Sequence, residues 1–278
     1  MAPPPPASTA NPKAQAGQRS ADKTVEQARP MLRLVPEEEP RVLILIPCLN
    51  EAPRISQLVT ELLLLHPTAD VLVVDDGSSD DTGRRATEAG ASVLRLPFNL
   101  GYGAALQTGY KYALARDYDL LVQMDGDGQH PASEVSDLLL ALEEGETDLV
   151  VGSRFLGRAD YRIPRLRLIG IRLFSWLTSV LAKRAVTDPT SGFQAMNRRV
   201  MRFYGQDFYP YDYPDADMLV RVHYGGLSFR EVPVVMLGGP PGKSMHSGLR
   251  PAYYVYKLLL SLAIAWFSGP DHRAPTEG

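Results

Sequence analysis

The sequence contains very little cysteine, and Cys48 is the single one in 278 residues. One thiol excludes an intramolecular disulfide framework and suits a reducing compartment. The sequence also lacks an excess of charge of either sign, because its formal net charge is only -3. Composition therefore gives no reason to expect a nucleic-acid partner. Since no neighbour in sequence would activate Cys48, we interpret it as a small packed residue.

The first forty residues lack the apolar side chains that a folded core or a secretory signal needs. They contain the proline run Pro3–Pro6, followed by Ala, Ser, Gln and Lys. Such a composition does not offset the entropy lost on ordering, and it holds no apolar signal-peptide segment. We therefore predict that residues 1–40 are a disordered Pro/Ala-rich tail outside the fold.

The usual phosphate-binding glycine motifs are missing as well. The first apolar run, Val42–Ile46, is followed by Pro47-Cys48-Leu49-Asn50-Glu51, where a dinucleotide-binding motif would place its glycines. The near match at Gly101 and Gly103 has Leu106 in the third position, and no Walker sequence occurs. These absences argue against a nicotinamide, flavin or P-loop site.

Short apolar segments alternate with helical patterns along the rest of the chain. Strands are predicted at 42–46, 71–74, 91–96, 120–124 and 148–151. Helices are predicted at 53–66, from about 80, and from Asn99 as the capping residue to about Arg116. This alternation is typical of βαβ units, so we predict an α/β fold whose mostly parallel sheet is covered on both faces.

Polar residues follow these strands at the point where each one ends. In open α/β sheets, ligands bind beyond the carboxyl ends of the strands, so a site is predicted at this edge. Asp125 and Asp127 could both turn towards one hard cation, and Gln129 adds a neutral oxygen. A solvated turn is the alternative for Asp75 and Asp76. The clusters are Asn50-Glu51, Asp75-Asp76, Asp125-x-Asp127 and Ser153-Arg154.

Six motifs occur in a fixed order: Ile46–Glu51, Val74–Thr82, Asn99–Gly103, Asp125–His130, Gly152–Arg154 and Asp188–Phe193. In this order they resemble the family 2 glycosyltransferases, in the branch typified by dolichol-phosphate mannose synthase and bacterial polyprenyl-phosphate sugar transferases. The resemblance covers about Arg41 to Trp266. It implies a Rossmann-like GT-A catalytic domain at 41–237, followed at 238–278 by a mobile loop and an interfacial helix.

The resemblance implies a nucleotide-diphosphate sugar as the donor, with GDP or UDP as the carrier. Its implied pocket contains Pro47, Asn50, Glu51, Asp76, Gly103, Asp125 and Lys243. A divalent metal, Mg²⁺ or Mn²⁺, is implied on Asp125, Asp127 and Gln129, where its charge would stabilise the leaving nucleoside diphosphate. The implied catalytic residues are Asp127, Asp188 and Arg154.

The segment after Arg154 is implied to bind the acceptor. In the polyprenyl-phosphate branch an arginine in this segment binds the acceptor phosphate, and Arg167 has the matching spacing. The family often has a serine one turn later, whereas this chain has Gly170 and Ile171. Ser244, in the implied mobile loop, is assigned to the acceptor side as well.

Two carboxylates are candidates for a role near the reacting centre. Related enzymes place a carboxylate at the position of Asp188, but a phosphate acceptor is already anionic, so Asp188 is expected to orient rather than to deprotonate. Asp217 follows Pro214 at the predicted start of a helix that runs to His223. The helix dipole favours an acidic residue there, whereas an acceptor hydroxyl would require a general base near this position.

Two predicted helices suit a membrane surface. The first, from Pro164, carries apolar residues including Trp176 beside a basic and polar stripe, which is typical of an interfacial helix. A peripheral helix that covers the core is the alternative. The second, Pro251–Ser268, has an uncharged stretch about half as long as the roughly 20 residues that span a bilayer. The stripe on the first helix consists of Arg165, Arg172, Ser175, Ser179 and Lys183.

Together these features predict an inverting, metal-dependent glycosyltransferase that moves a sugar to dolichyl or undecaprenyl phosphate. It is expected to bind the cytoplasmic face of the membrane peripherally. Two alternatives stay open: a transferase acting on a hydroxyl of a glycan or small metabolite, with Asp217 as the candidate base, and a nucleotide-sugar-binding module without catalysis. The intact Asp125-x-Asp127-x-Gln129 sequence argues against the second.

Overall fold

The computed structural model describes residues 39–145, 147–156, 165–212, 214, 216–237, 260–264 and 266; within 165–170, side chains are described only at 168 and 170. The chain divides into two units, Met1–Glu39 and Pro40–Gly278, and the elements below belong to the second. The predicted tail lies outside the described residues except for its last two positions. The loop predicted from 238 and the last predicted helix up to 259 lie outside them too.

The described residues contain one seven-stranded sheet. Its spatial order is β3-β2-β1-β4-β6-β5-β7. β6 runs antiparallel to β4 and β5, and the other four pairings are parallel. The predicted α/β fold with a mostly parallel sheet is therefore confirmed. The strands are β1 Val42–Cys48, β2 Asp70–Asp75, β3 Ser92–Arg95, β4 Leu120–Gln123, β5 Leu149–Ser153, β6 Gln194–Asn197 and β7 Phe229–Pro233.

Helices cover both faces of this sheet. One face packs against α1, α2 and α4, and the other against α3, α6 and α7. α5 packs on α7, and residues 260–264, which are helical, join the same small cluster through Leu262. The bounds are α1 Ala52–Leu65, α2 Thr82–Glu88, α3 Tyr102–Ala115, α4 Val135–Glu144 after a 3₁₀ turn at Ala132–Glu134, α5 Arg165–Leu181, α6 Arg198–Tyr204 and α7 Ala216–Tyr224.

The central strands are apolar along their length because helices cover both faces of the sheet. Along β1, Leu43 and Leu45 pack towards α3, whereas Ile44 and Ile46 pack towards α1. Because successive side chains of a strand point to opposite faces, a strand covered on both sides must be apolar at successive positions. The strands β1, β2, β4 and β5 therefore have their polar side chains at or just beyond the strand ends.

The helix predicted to start at Asn99 begins later, at Tyr102, so Asn99 is not its cap. Gly101 occupies the capping position with φ 107°, in the left-handed region that favours glycine. The carboxylate of Asp76 accepts hydrogen bonds from the backbone N–H groups of Leu100 at 2.7 Å and Gly101 at 3.0 Å. These bonds hold the chain outside the helix until Tyr102.

The predicted polar stripe on α5 is corrected at its two serines. The hydroxyl of Ser175 donates to the backbone oxygen of Val186, and Ser179 donates to the same oxygen at 3.2 Å. Both serines therefore face the fold. Arg172 is exposed on α5 as predicted. Lys183 is exposed too, but it lies beyond the end of the helix at Leu181, and the side chain of Arg165 lies outside the described residues. The exposed part of the helix also includes three apolar side chains, at Leu173, Trp176 and Val180.

No helix within the described part of the chain is long and apolar enough to cross a membrane.

Candidate active site

The four predicted polar clusters lie on one edge of the sheet. β1, β2, β4 and β5 all point the same way, because β6 runs antiparallel to both β4 and β5. Their carboxyl ends therefore form a single rim, as the sequence predicted. The clusters are Asn50-Glu51 after β1, Asp75-Asp76 at the end of β2, Asp125–Asp127 after β4 and Ser153-Arg154 at the end of β5.

Asp125 is held from two sides. Tyr102, in the first turn of α3, donates its hydroxyl to Oδ1 at 2.8 Å, and Nε2 of the buried His130 lies 3.7 Å from Oδ2. Burial alone would raise the pKa of Asp125, but the imidazole, the tyrosine hydroxyl and the charge of Arg154 together lower that pKa below its ordinary value. Asp125 is therefore an anion at neutral pH.

Asp127 stands on the same turn as Asp125. Its Oδ1 accepts the backbone N–H of Gln129 at 3.0 Å, and its Oδ2 accepts the side-chain amide of Gln129. Gly126, between the two aspartates, lies against the Sγ of Cys48, where a Cβ atom would collide. The turn thus holds two carboxylates and one amide close together, the three groups that the sequence assigned to a metal.

Cys48 fits the interpretation of a packed residue. It is buried at the end of β1, and burial, together with the nearby charges of Glu51 and Asp75, raises the pKa of its thiol well above the ordinary value. A protonated thiol is a poor nucleophile. Its place against Gly126 gives Cys48 a packing role beneath the turn at 125–129, which we call the aspartate turn.

Arg154 and Asp188 form a partly buried, bidentate ion pair. Arg154 donates from Nε to Oδ2 and from Nη2 to Oδ1, each at 2.6 Å, and its backbone N–H adds a bond to Oδ2 at 3.1 Å. Arg154 also donates to Oγ1 of Thr190 at 2.9 Å. Asp188 is fully buried. A carboxylate with both oxygens on one guanidinium is suited to holding that cation in place.

The segment that follows Asp188 packs against Asp125. A Cβ atom on Gly192 would lie 2.9 Å from the hydroxyl of Tyr102 and 3.3 Å from Oδ2 of Asp125. The side-chain amide of Gln123 donates to the backbone oxygen of Gly192 at 3.0 Å. These contacts bring two separate motifs together, and they explain why position 192 is a glycine.

The residues assigned to the donor pocket lie on the β1–β2 side of the rim. Oδ1 of Asn50 accepts the backbone N–H of Ser79 at 2.9 Å, and Glu51 forms an ion pair with Arg54 at 3.2 Å. Asp76 is buried, and its carboxylate braces the chain before α3 as described above. All three side chains are therefore fixed in orientation by the fold.

Pro47 and Gly103 complete the described part of that set. Pro47 lies within β1, opposite Val74 of β2. Gly103 donates its backbone N–H to the oxygen of Asp212 at 2.9 Å, and a Cβ atom there would collide with the backbone oxygen of Pro210. Gly103 thus allows α3 to approach the 210–212 segment closely.

Three assigned side chains lie outside the described residues. They are Lys243 of the donor set and Ser244 and Arg167 of the acceptor set; the backbone of Arg167 lies in α5. Tyr102 and His130 belong to the predicted motifs Asn99–Gly103 and Asp125–His130, which assign them no role. Their contacts with Asp125 come from α3 and from the turn after β4, and the sequence has no signal for that proximity.

The sheet and the helices on its two faces have a GT-A fold, which a solved structure shares. The solved glucosyl-3-phosphoglycerate synthase from Mycobacterium tuberculosis, in complex with Mn²⁺ and UDP-glucose, matches with a TM-score of 0.63 and 22% identity, over 86% of this chain and 82% of that one. At this identity the likeness concerns the fold. The family model described as Glycosyl transferase family 2 matches residues 43–205, and the chain belongs to that family.

Two curated relatives narrow the comparison. The polyprenol monophosphomannose synthase of Mycolicibacterium smegmatis is 33% identical over 218 residues, which cover 75% of this chain and 82% of the relative. The undecaprenyl-phosphate mannosyltransferase of Micrococcus luteus is 32% identical over 224 residues, which cover 75% of this chain and 88% of the relative. The resemblance to the polyprenyl-phosphate branch is thus confirmed, and the chain is a glycosyltransferase.

Proposed function

We propose that this protein is an inverting glycosyltransferase that moves a sugar from a nucleotide diphosphate to a polyprenyl phosphate. The observation that carries the proposal is the arrangement of the rim. Gly192, four residues after Asp188, packs against Asp125, and this contact brings the Asp125–Asp127 turn close to the Arg154–Asp188 pair. Relatives named for polyprenol and undecaprenyl-phosphate substrates, at 33% and 32% identity, support the choice of acceptor.

The aspartate turn suits a divalent cation. Mg²⁺ is usually held by one or two carboxylates together with substrate phosphates, and no group of three or more His, Cys, Asp or Glu side chains among the described residues is placed to hold a metal alone. Asp125, Asp127 and Gln129 fit such a shared arrangement because all can offer oxygen. When bound, Mg²⁺ or Mn²⁺ would supply the charge that stabilises the leaving nucleoside diphosphate.

The nucleoside is assigned to the β1–β2 side of the rim, with GDP or UDP as the carrier. Glu51 and Asp76 offer carboxylate oxygens for base or ribose groups, beside Pro47 and Asn50. Asp76 is oriented in advance by the backbone N–H groups before α3, which reduces the entropy lost on binding. The assigned set also includes Gly103, Asp125 and Lys243.

Arg154 is assigned to the diphosphate side of the reaction. Its charge is close enough to Asp125 to help lower the pKa of that carboxyl, and Asp188 fixes its guanidinium through two bonds of 2.6 Å. A fixed cation beside the place where negative charge develops stabilises the transition state without reorganisation.

The acceptor brings its own nucleophile. One anionic phosphate oxygen of the lipid attacks the anomeric carbon, the bond from that carbon to the donor diphosphate breaks, and the electron pair leaves with the nucleoside diphosphate. No proton has to be removed, and displacement from the face opposite the leaving group inverts the anomeric centre. Arg167 and Ser244 are assigned to the lipid phosphate.

Asp217 gives little support to a hydroxyl acceptor. It is buried in the first turn of α7, and Nε of Arg221 lies 3.8 Å from its Oδ2. A general base must reach the proton that it removes, and the burial of Asp217 keeps its carboxylate away from a bound acceptor. This placement favours the phosphate acceptor over the glycan or metabolite hydroxyl.

The experiment compares two acceptors that differ only in the phosphate. Nucleoside diphosphate release from GDP- and UDP-sugars is measured with vesicles that contain polyprenyl phosphate or the corresponding polyprenol. We expect release to rise only with the phosphate, and the rise to match the sugar transferred. Equal stimulation by polyprenol, or by a soluble glycan alone, would contradict the proposal.

A membrane contact is proposed at the exposed side of α5 and the nearby C-terminal residues. Leu173, Trp176 and Val180 are exposed on α5, as are Leu260, Ile264 and Trp266. Both segments meet through Leu262 and Phe174. α5 also bonds to Val186, directly before the segment that carries Asp188. A lipid bound to this surface would therefore enter next to the catalytic rim.

Serine replacement at two of these positions is expected to weaken vesicle binding. Burial of one large apolar side chain contributes about 1.5–3 kcal/mol, so Leu173→Ser/Trp176→Ser should reduce partition onto anionic vesicles by at least about tenfold. Sedimentation at low salt measures this, and high salt should release part of the wild-type protein. Leu64→Ser, at an exposed leucine on α1, is the control. Equal binding by the wild type, the double variant and the control would contradict the proposed membrane contact.

A further inference from the structure

Glu231 of β7 binds the chain at the residues that lead into the Arg154–Asp188 pair. Its Oε2 accepts the backbone N–H of Thr187 at 2.7 Å and the hydroxyl of Thr187 at 2.9 Å. Its Oε1 accepts the backbone N–H of Asp188 at 2.7 Å and lies 3.0 Å from the N–H of Thr187. One carboxylate thus satisfies three donors on two consecutive residues.

The sheet explains how Glu231 reaches this segment. β7 pairs in parallel with β5, with Glu231 opposite Val151. At the end of β5, Ser153 shares a hydrogen bond of 2.6 Å with the hydroxyl of Thr187. The segment at 187–188 is therefore attached to both strands, and Arg154 follows Ser153 directly on β5.

Glu231 reaches the site most directly through Asp188. The backbone of Asp188 is fixed by Glu231, and its side chain fixes the guanidinium of Arg154 through bonds of 2.6 Å. A shift of the 187–188 backbone would move that guanidinium relative to the aspartate turn. In an active site, a misplacement of about 1 Å can cost on the order of 100-fold in rate.

We propose that Glu231 is a positioning residue for glycosyl transfer, which sets the orientation of Asp188 and through it that of Arg154. The proposal rests on the proposed function for the identity of the reaction. A carboxylate is needed because both oxygens face N–H donors, whereas a glutamine amide has one accepting oxygen and an NH₂ group that cannot accept. The charge also favours the two N–H dipoles.

The test separates kcat from KM in Glu231→Gln. We expect kcat to fall on the order of 10- to 100-fold, because the guanidinium is misplaced in the transition state. KM for the donor should stay within about twofold, since the assigned nucleoside contacts lie on β1 and β2. A rise in donor KM with an unchanged kcat would overturn the proposal.

Asp148→Asn is the matched control. Asp148 directly precedes β5, at the end of the sheet opposite to the rim. It accepts the backbone N–H of Ser228 at 2.8 Å and forms an ion pair with Arg199. It should lower the melting temperature as Glu231→Gln does, yet leave kcat unchanged below that temperature. An equal loss of kcat in both variants would show a general structural effect and overturn the proposal.

A double variant tests the route through Asp188. If Glu231 acts by way of that residue, Asp188→Asn/Glu231→Gln should lose little more kcat than Asp188→Asn alone. Losses that multiply would overturn the route. Glu231→Asp is the second variant if Glu231→Gln proves too unstable to assay. Its shorter side chain must give up bonds or draw the 187–188 backbone towards β7, so a wild-type kcat in Glu231→Asp would contradict positioning.

Failure of the proposed function can be told apart from failure of this inference. The wild-type protein is assayed first, and no transfer to polyprenyl phosphate there would refute the acceptor assignment. Donor hydrolysis by water then replaces lipid transfer as the readout for the same variants. A positioning role still requires that Glu231→Gln lower kcat for hydrolysis and that Asp148→Asn leave it unchanged.

Discussion

Replacement of Asp127 by asparagine is expected to reduce sugar transfer by about 100- to 1000-fold, because it removes a charge that a bound cation needs. Asparagine keeps the size of the side chain and an oxygen that can accept the N–H of Gln129. The free energy of unfolding should therefore change by less than about 0.5 kcal/mol, as for other partly exposed positions. Initial rates and thermal melts on the same preparations measure the two effects.

Removal of the metal is expected to stop sugar transfer by the unaltered protein as well. EDTA should abolish transfer, and added Mg²⁺ or Mn²⁺ should restore it in the wild type but not in Asp127→Asn. Asp137→Asn, at an exposed carboxylate in the first turn of α4, is the control and should retain wild-type activity. Full activity of the wild type in EDTA would contradict the assignment of the aspartate turn to a metal.

Replacement of Arg154 by methionine is expected to affect stability and activity together. Asp188 would be left fully buried without its cation, and breaking a buried ion pair costs about 3–5 kcal/mol. Transfer should fall by about 100-fold or more, because a fixed cation beside the proposed diphosphate site is lost. Denaturant unfolding gives the first quantity, and steady-state kinetics below the melting temperature give the second.

The double variant Arg154→Met/Asp188→Asn separates the two effects. It removes the unpaired charge, and asparagine can still accept the backbone N–H of residue 154, so most of the lost stability should return. Activity should not return, because the guanidinium is still absent. Recovery of transfer together with stability would show that Arg154 serves folding alone.

The positions of the rim clusters could be predicted because they depend on local sequence and on one rule of topology. β1, β2, β4 and β5 are short apolar runs that end in polar residues, and the strands predicted there are found. The rule that ligands bind beyond the carboxyl ends of the strands then places Asn50, Asp76, Asp125 and Arg154 together. The helix predicted to begin after Pro214 is found as α7.

The features of the fold and site that the sequence does not predict depend on contacts between residues far apart in the chain. β6 has four residues, and its antiparallel place is fixed by β4 and β5 rather than by its own pattern. The start of α3 is set by Asp76, about 25 residues earlier, which no capping rule applied to Asn99 could show. Glu231 looks like any exposed strand residue until its bonds to Thr187 and Asp188 are seen.

The serines of α5 illustrate the same limit on one helix. Helical spacing places Ser175 and Ser179 near Arg172 and so predicts a polar stripe that contains all three. Their bonds to Val186 depend on where the chain returns after the helix. Periodicity gives the angular position of a side chain, but only the tertiary fold shows which neighbour it meets.

The most direct test of the central claim is the fate of the sugar. Radiolabelled GDP- and UDP-sugars are incubated with the protein, a divalent metal and vesicles containing polyprenyl phosphate, and the reaction is extracted with organic solvent. We predict that label from one donor enters the lipid phase, in a product whose mass equals polyprenyl phosphate plus one sugar residue, and that Asp127→Asn gives none. Label that stays in the aqueous phase with every donor, or that is found in a soluble glycan, would contradict the account.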